Sequence, residues 1–203
     1  MFKNKYPGKF IAIEGIDGSG ATTQALKLKE YLEEKNMPFW LTQEPTDGII
    51  GSISKSHLSG TAKITDHIGL QLLFAADRAN HLDQEIIPRL QKGEVVISDR
   101  YFLSSVAYGS LNISDENWLY QINDQFLLPD LTILLKVPAK VGIERISESR
   151  LSFSMFEQEE NLKKVWDNYE KISKKYPNIV IIDGEKSEED VFRDIRAAIE
   201  KII

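Results

Sequence analysis

Five short apolar runs set the tightest limit on this fold. They are Phe10-Ile11-Ala12-Ile13, Phe39-Trp40-Leu41-Thr42, Val95-Val96-Ile97, Leu131 to Val137 and Ile179 to Ile182. They do not alternate with polar residues, so both faces of each strand must be covered. Longer helical patterns separate them. Thr22 to Asn36 carries Ala25, Leu28 and Leu32 on one face. Ile64 to Gln91 is mostly helical and is broken or ended around Pro88. Ser187 to Ile203 opens on a Ser187/Asp190 capping box, and Val191, Ile195, Ala198, Ile199 and Ile202 form its stripe. The expected fold is α/β: a doubly wound, five-stranded parallel sheet with helices on both faces, in a single domain over residues 1–203. Ligands of such sheets gather beyond the carboxyl ends of the strands.

The first strand runs into Gly15-Ile16-Asp17-Gly18-Ser19-Gly20-Ala21-Thr22-Thr23 and then a helix. Gly15 and Gly20 have the spacing of a phosphate loop, G-x-x-x-x-G-K-[ST]. Thr22 stands where a Mg²⁺-binding hydroxyl belongs, but Ala21 replaces the lysine. The alternative is a glycine-rich turn that only joins strand to helix. The second strand ends at Gln43-Glu44-Pro45-Thr46-Asp47-Gly48, where Glu44 either meets a ligand or belongs to a turn. The third ends at Ser98-Asp99-Arg100-Tyr101. Asp99 beside a phosphate loop suits a Mg²⁺-linked carboxylate, and Arg100 suits a phosphate. The alternative there is a helix cap followed by a surface arginine. Phe74 and Arg78 share a helix face and suit a nucleobase, by stacking and by hydrogen bonds, or else are a core phenylalanine and a surface arginine. Tyr108 could reach the same pocket.

Other classes are disfavoured. The net charge of -6 argues against binding a nucleic-acid backbone through a general field. No run of about 18 apolar residues exists to cross a membrane. There are no cysteines, which removes thiolate chemistry and disulfides. With no signal-peptide core, the chain is expected to be cytoplasmic. His57, His67 and His81 lack metal spacing and are read as surface or helix residues. Glu157 to Lys175 reads as a solvated helix with Leu162, Val165, Trp166 and Tyr169 inward.

Together these segments resemble the thymidylate kinases. Phe10 to Gln24 matches that family's phosphate loop except at Ala21, and Leu72 to Arg78 matches its thymine-binding helix. Asp99-Arg100-Tyr101 with Ser104, Ser105, Ala107 and Tyr108 matches its DRY segment, and Gln43-Glu44-Pro45 its Glu-Pro loop, with Gln43 where an arginine is usual. The resemblance implies phosphorylation of dTMP by ATP with Mg²⁺, in a homodimer. It implies that Gly15, Asp17, Gly18, Ser19, Gly20, Ala21, Thr22 and Thr23 cradle ATP, and that Thr22 and Asp99 serve the metal. Asp17 would hold the 3′-hydroxyl of dTMP, Phe74 and Arg78 the thymine, and Arg100 its phosphate. Ser105 would lie by the pyrimidine edge and Tyr108 under the sugar. It also implies a mobile helical lid at about residues 142–157, where Arg150 and then Arg145 would supply the charge that Ala21 lacks. Ser154 and Met155 stand where the lid's Asp-Arg pair is usual. Two other readings remain: another deoxynucleoside or deoxynucleotide kinase, and a non-catalytic nucleotide-binding relative.

Overall fold

The computed structural model describes residues 1–149 and 158–203. Its main sheet has five parallel strands: β2 (Lys9–Gly15), β3 (Phe39–Gln43), β4 (Val95–Asp99), β6 (Leu131–Lys136) and β7 (Ile179–Asp183). Their order across the sheet is β3-β4-β2-β6-β7. The expected sheet is therefore present, with strand edges within two residues of those read from the apolar runs. A small additional sheet pairs β1 (Phe2–Lys3) with β5 (Leu127–Leu128). Two-residue strands leave no periodicity for a sequence to show.

Helices cover both faces. On one side, α1 (Ala21–Glu34) and α9 (Glu188–Ile199) pack Leu28, Leu32, Ile195 and Ile199 against Ile11, Ile13 and Ile133. On the other, α5 (Phe102–Gly109) and α8 (Glu159–Ser173) bring Phe102, Val106, Leu162, Val165 and Tyr169 onto Phe10, Ala12 and Leu134. All of those side chains are 0–1% exposed, so the central strands β2 and β6 are buried on both faces; the edge strands depart from that expectation, β3 being half-buried and β7 leaving Val180 and Ile181 38% and 44% exposed. Leu162, Val165 and Tyr169 point inward as expected, with Trp166 half-buried.

The long helical stretch resolves into α3 (His67–His81), a π-turn at Leu82–Ile86 and α4 (Ile87–Gln91). The helix widens just before Pro88, which has no N–H to return to the preceding turn. α2 (Ile49–Leu58), α6 (Glu116–Asn123) and α7 (Ala139–Ser149) complete the set of described helices. The Ser187 side chain caps α9 at Asp190 N, 3.2 Å, as its capping box foretold.

All three histidines lie on helices, as expected: His67 is exposed at the start of α3, and His57 on α2 and His81 on α3 have buried side chains, each 1% exposed. His81 sits between Glu44 and Thr42, its ring nitrogens 3.0 and 2.7 Å from their oxygens. His57 Nδ1 accepts from Ile64 N at 3.0 Å.

Candidate active site

β2 and β4 are neighbours, yet the chain leaves them in opposite directions: β2 leads to β3 beyond β4, and β4 leads to β6 beyond β2. That arrangement opens a crevice at their carboxyl ends. Ile13 pairs in register with Asp99, so the loop after β2 and the residues after β4 must meet there.

The loop is built for an anion. Gly18 and Gly20 have φ of +77° and +91°, values that side-chain-bearing residues seldom adopt. α1 starts without a side-chain cap at Gly20. Its first N–H groups therefore have no side-chain acceptor within the helix start. Ser19 Oγ is buried without a partner among the described residues. Ala21 is packed, 5% exposed, against the apolar core and offers no charge.

Thr22 and Asp99 come together across the crevice: Thr22 Oγ1 donates to Asp99 Oδ2 at 2.5 Å. A hydroxyl and a carboxylate oxygen are hard donors of the kind that suit Mg²⁺. No cluster of three or more His, Cys, Asp or Glu that could hold a metal occurs among the described residues. A cation here would therefore rely on few protein ligands and mostly on water and phosphate, which is how Mg²⁺ is usually held.

Beside them, Arg100 has a backbone φ of +71°, stabilised by Arg100 N donating to Ile13 O at 2.9 Å. Its guanidinium donates to Asp17 Oδ1 at 2.8 Å and to Tyr169 Oη at 3.2 Å. It also lies over the Tyr108 ring, 5.8 Å from the centroid. Tyr108 Oη in turn accepts from Asp17 N at 3.0 Å. Burial raises the Tyr108 phenol far above its usual pKa, so it stays neutral. Asp17, Arg100 and Tyr108 thus form one cluster.

A cavity of about 540 Å³ runs along this crevice. Residues Ile16 to Thr23 line it, with Glu44, Pro45, Asp99 and Arg100 opposite. Arg145, on α7, closes one end, donating to Gly184 O at 3.0 Å and to Gly18 O at 3.5 Å. Lys55 of α2 lines the other side, held by Asp47 Oδ1 at 2.5 Å. Lys55, in the last turn of α2, is a site residue that the sequence did not single out. Arg150, Ser154 and Met155 lie outside the described residues.

Phe74, Arg78, Ser105 and Tyr108 are not in the wall of that cavity. Phe74 is half-buried, and Arg78 and Ser105 are buried. Arg78 is neither free nor on the surface. Its Nε donates to Glu44 Oε2 at 2.8 Å, Nη2 to Ser105 Oγ at 2.9 Å, and Nη1 to Asn123 Oδ1. Its guanidinium also lies 4.9 Å from the Tyr101 ring centroid. The structure joins Glu44, Arg78 and Ser105 into one buried polar group behind the cavity, a link the sequence did not show.

A parallel sheet with a phosphate loop at its switch point, faced by the carboxylate of the next strand, is the architecture of the P-loop nucleotide kinases. The comparisons narrow that class. The family model for thymidylate kinase matches residues 13–195. A "Probable thymidylate kinase" from Pyrococcus horikoshii is 43% identical over 199 residues, 95% of this chain and 96% of that protein. One from Thermococcus gammatolerans is 40% identical over 203 residues, 97% of this chain and 98% of its own length. One from Methanocaldococcus jannaschii is 40% identical over 92% of this chain. The chain belongs to the thymidylate kinase family.

Proposed function

We propose that the chain transfers the γ-phosphoryl group of ATP to dTMP, giving ADP and dTDP, as a single kinase domain. The observation that carries this reading is the Thr22–Asp99 contact in the wall of the cavity that Arg100 also lines. The ATP phosphates lie along the Gly15–Thr23 backbone, at the start of α1. Thr22 and Asp99 would hold Mg²⁺, whose charge would offset that of the phosphates. Arg100 grips the acceptor phosphate through its planar fork, with Lys55 as a second cation on that side. Asp17 accepts from the sugar hydroxyl. By the family resemblance Phe74 would stack on the base, Arg78 and Ser105 would present its polar edge and Tyr108 would pack under the sugar, in a base subsite outside the wall of that cavity. Glu44 keeps Arg78 in place.

Transfer of this kind needs positioning and positive charge more than covalent chemistry. Ala21 leaves one charge missing. Arg145, already hydrogen-bonded to the loop carbonyl at Gly18, is the described replacement, and Arg150 would add a second from the lid.

Two apolar pairs, Ile49 with Ile53 and Ile68 with Leu72, are 46–88% exposed on the packed helices α2 and α3. They support self-association of this face in a homodimer, which sedimentation would detect. No helix among the described residues is long and apolar enough to cross a membrane. A cytoplasmic location fits that.

The test is ADP release with ATP, Mg²⁺ and dTMP, comparing the chain with Ala21→Lys. Turnover of about 1 s⁻¹ or more in the unaltered chain, the low end for kinases, supports the reading and makes the lysine dispensable. Silence restored by Ala21→Lys overturns activity in the unaltered chain, keeps the kinase site and assigns the loss to position 21. Silence in both, with dTMP still bound, favours a non-catalytic nucleotide-binding protein.

A further inference from the structure

Glu14 is the penultimate residue of β2 and is 0% exposed. It does not line the cavity. Four donors nevertheless converge on its carboxyl group. Tyr101 N and Ser104 N reach Oε1 at 2.9 and 3.3 Å. Ser104 Oγ and Tyr169 Oη reach Oε2 at 2.5 and 3.1 Å.

The two backbone donors stand at the start of α5, whose N-cap residue, Tyr101, supplies no side-chain cap. Glu14 therefore caps α5 from a different element of the fold. Arg100 lies immediately before that start, in its left-handed conformation. The two hydroxyl donors are also the groups that Arg100 Nη1 touches, Ser104 Oγ at 3.4 Å and Tyr169 Oη at 3.2 Å. Glu14 is thus one bridging hydroxyl from the guanidinium by two routes and fixes the backbone beside it by a third.

A carboxylate has a reason to be here. Only the ionised form accepts from all four donors. It then turns both hydroxyl protons toward itself and leaves their lone pairs for Arg100. A protonated carboxyl, or an amide, makes one position a donor. That donor competes with Arg100 for the same lone pairs. We propose that Glu14 is the positioning residue for Arg100: its carboxylate, acting through Ser104, Tyr169 and the start of α5, holds the guanidinium in the orientation that receives the acceptor phosphate. The inference rests on the reading that Arg100 holds that phosphate.

Burial, partly offset by Arg100 and by the hydrogen bonds from Ser104 and Tyr169, raises Glu14 to about 7. The titratable groups around it are Arg100 just after β4, Tyr101 at the N-cap of α5, Tyr108 from α5, Tyr169 from α8 and Asp17 from the loop. Tyr101, Tyr108 and Tyr169 are all raised by burial and stay neutral through this range. Glu14 is the group that changes charge there.

The experiment measures KM for dTMP and for ATP between about pH 5.5 and 9. It compares the chain with Glu14→Gln, Tyr169→Phe and Arg100→Ala. Glu14→Gln is expected to raise KM for dTMP about tenfold, the scale of one hydrogen-bond contact to a charged group. KM for ATP should stay within about twofold. Tyr169→Phe removes one of the two hydroxyl routes, and should raise KM for dTMP a few-fold with the same selectivity. In the unaltered chain, dTMP affinity should weaken on acidification through neutrality beyond the effect of the substrate's own phosphate. That extra limb should be absent from Glu14→Gln. If Glu14→Gln fails to fold, Tyr169→Phe decides. Equal losses for both nucleotides, or an unchanged KM for dTMP with the acid limb intact, overturn the positioning role. An unchanged KM for dTMP in Arg100→Ala overturns it at its foundation, and marks the failure as that of the phosphate assignment.

Discussion

Thr22 and Asp99 lie 77 residues apart in sequence and 2.5 Å apart in space. The contact exists because β2 and β4 are adjacent, parallel and in register at Ile13 and Asp99. It spans the crevice where the two halves of the fold diverge.

Replacing Asp99 with Asn should therefore weaken metal use more than nucleotide binding. The half-saturating Mg²⁺ concentration for turnover should rise about 10- to 100-fold, the range found when a metal site's support is lost. KM for dTMP should move little. A Mg²⁺ titration of turnover checks this, and an unchanged midpoint would place the metal elsewhere.

Arg78 is a stability element whatever it does for a base. It is 2% exposed and neutralises Glu44, which His81 also touches. Arg78→Met keeps the length and removes the charge, leaving a buried carboxylate without its cation. Breaking such a pair costs about 3–5 kcal/mol. Urea unfolding should show that loss, and a change below about 1 kcal/mol would refute this account of the cluster.

Gly18 and Gly20 make a matched test of two costs. Both have positive φ. A Cβ at Gly18 would run into the backbone of Gly142, whereas at Gly20 nothing lies within 4 Å. Gly20→Ala should cost only the conformational strain, about 1–2 kcal/mol. Gly18→Ala should cost more and should displace α7, and with it Arg145. Paired thermal melts and KM for ATP check the order of the two.

Glu14 makes stability depend on pH in a stated direction. Its folded pKa of about 7 lies above the ordinary 4.5, so the native state binds the extra proton between those values. The stability it contributes is complete below about 4.5 and is lost as the pH rises through about 7. Glu14→Gln should flatten that part of the stability curve. Denaturant midpoints from acid to neutral pH give the slope, and an unchanged slope would contradict the assignment.

Much of this was legible in the sequence. The central strands announced themselves because burial on both faces makes them continuously apolar; the edge strand β7 is equally apolar although Val180 and Ile181 are exposed. Thr22, Asp99 and Arg100 stood out because they sit at strand ends or just past a glycine-rich loop. Other features left no local mark. Glu14 looks like one polar interruption in an apolar strand, and its donors come from α5 and α8. Lys55 lies on a helix whose Gly-Ser-Ile-Ser composition gives weak periodicity. The buried state of His81 depends on Glu44 and Thr42, neither of them near it in sequence.

The position of β2 in the sheet also bears on how the chain is made. β2 is the third of five strands across the sheet, but its partners are β4 and β6. Lys9 waits for Val95, and Ile11 waits for Leu131. At roughly 5–20 residues per second, the ribosome takes several seconds to deliver them. Until then a strand that is apolar on both faces has no native neighbour. The nascent chain is a natural client for holding chaperones during that interval, and the phosphate loop is formed early in synthesis yet completed late in folding.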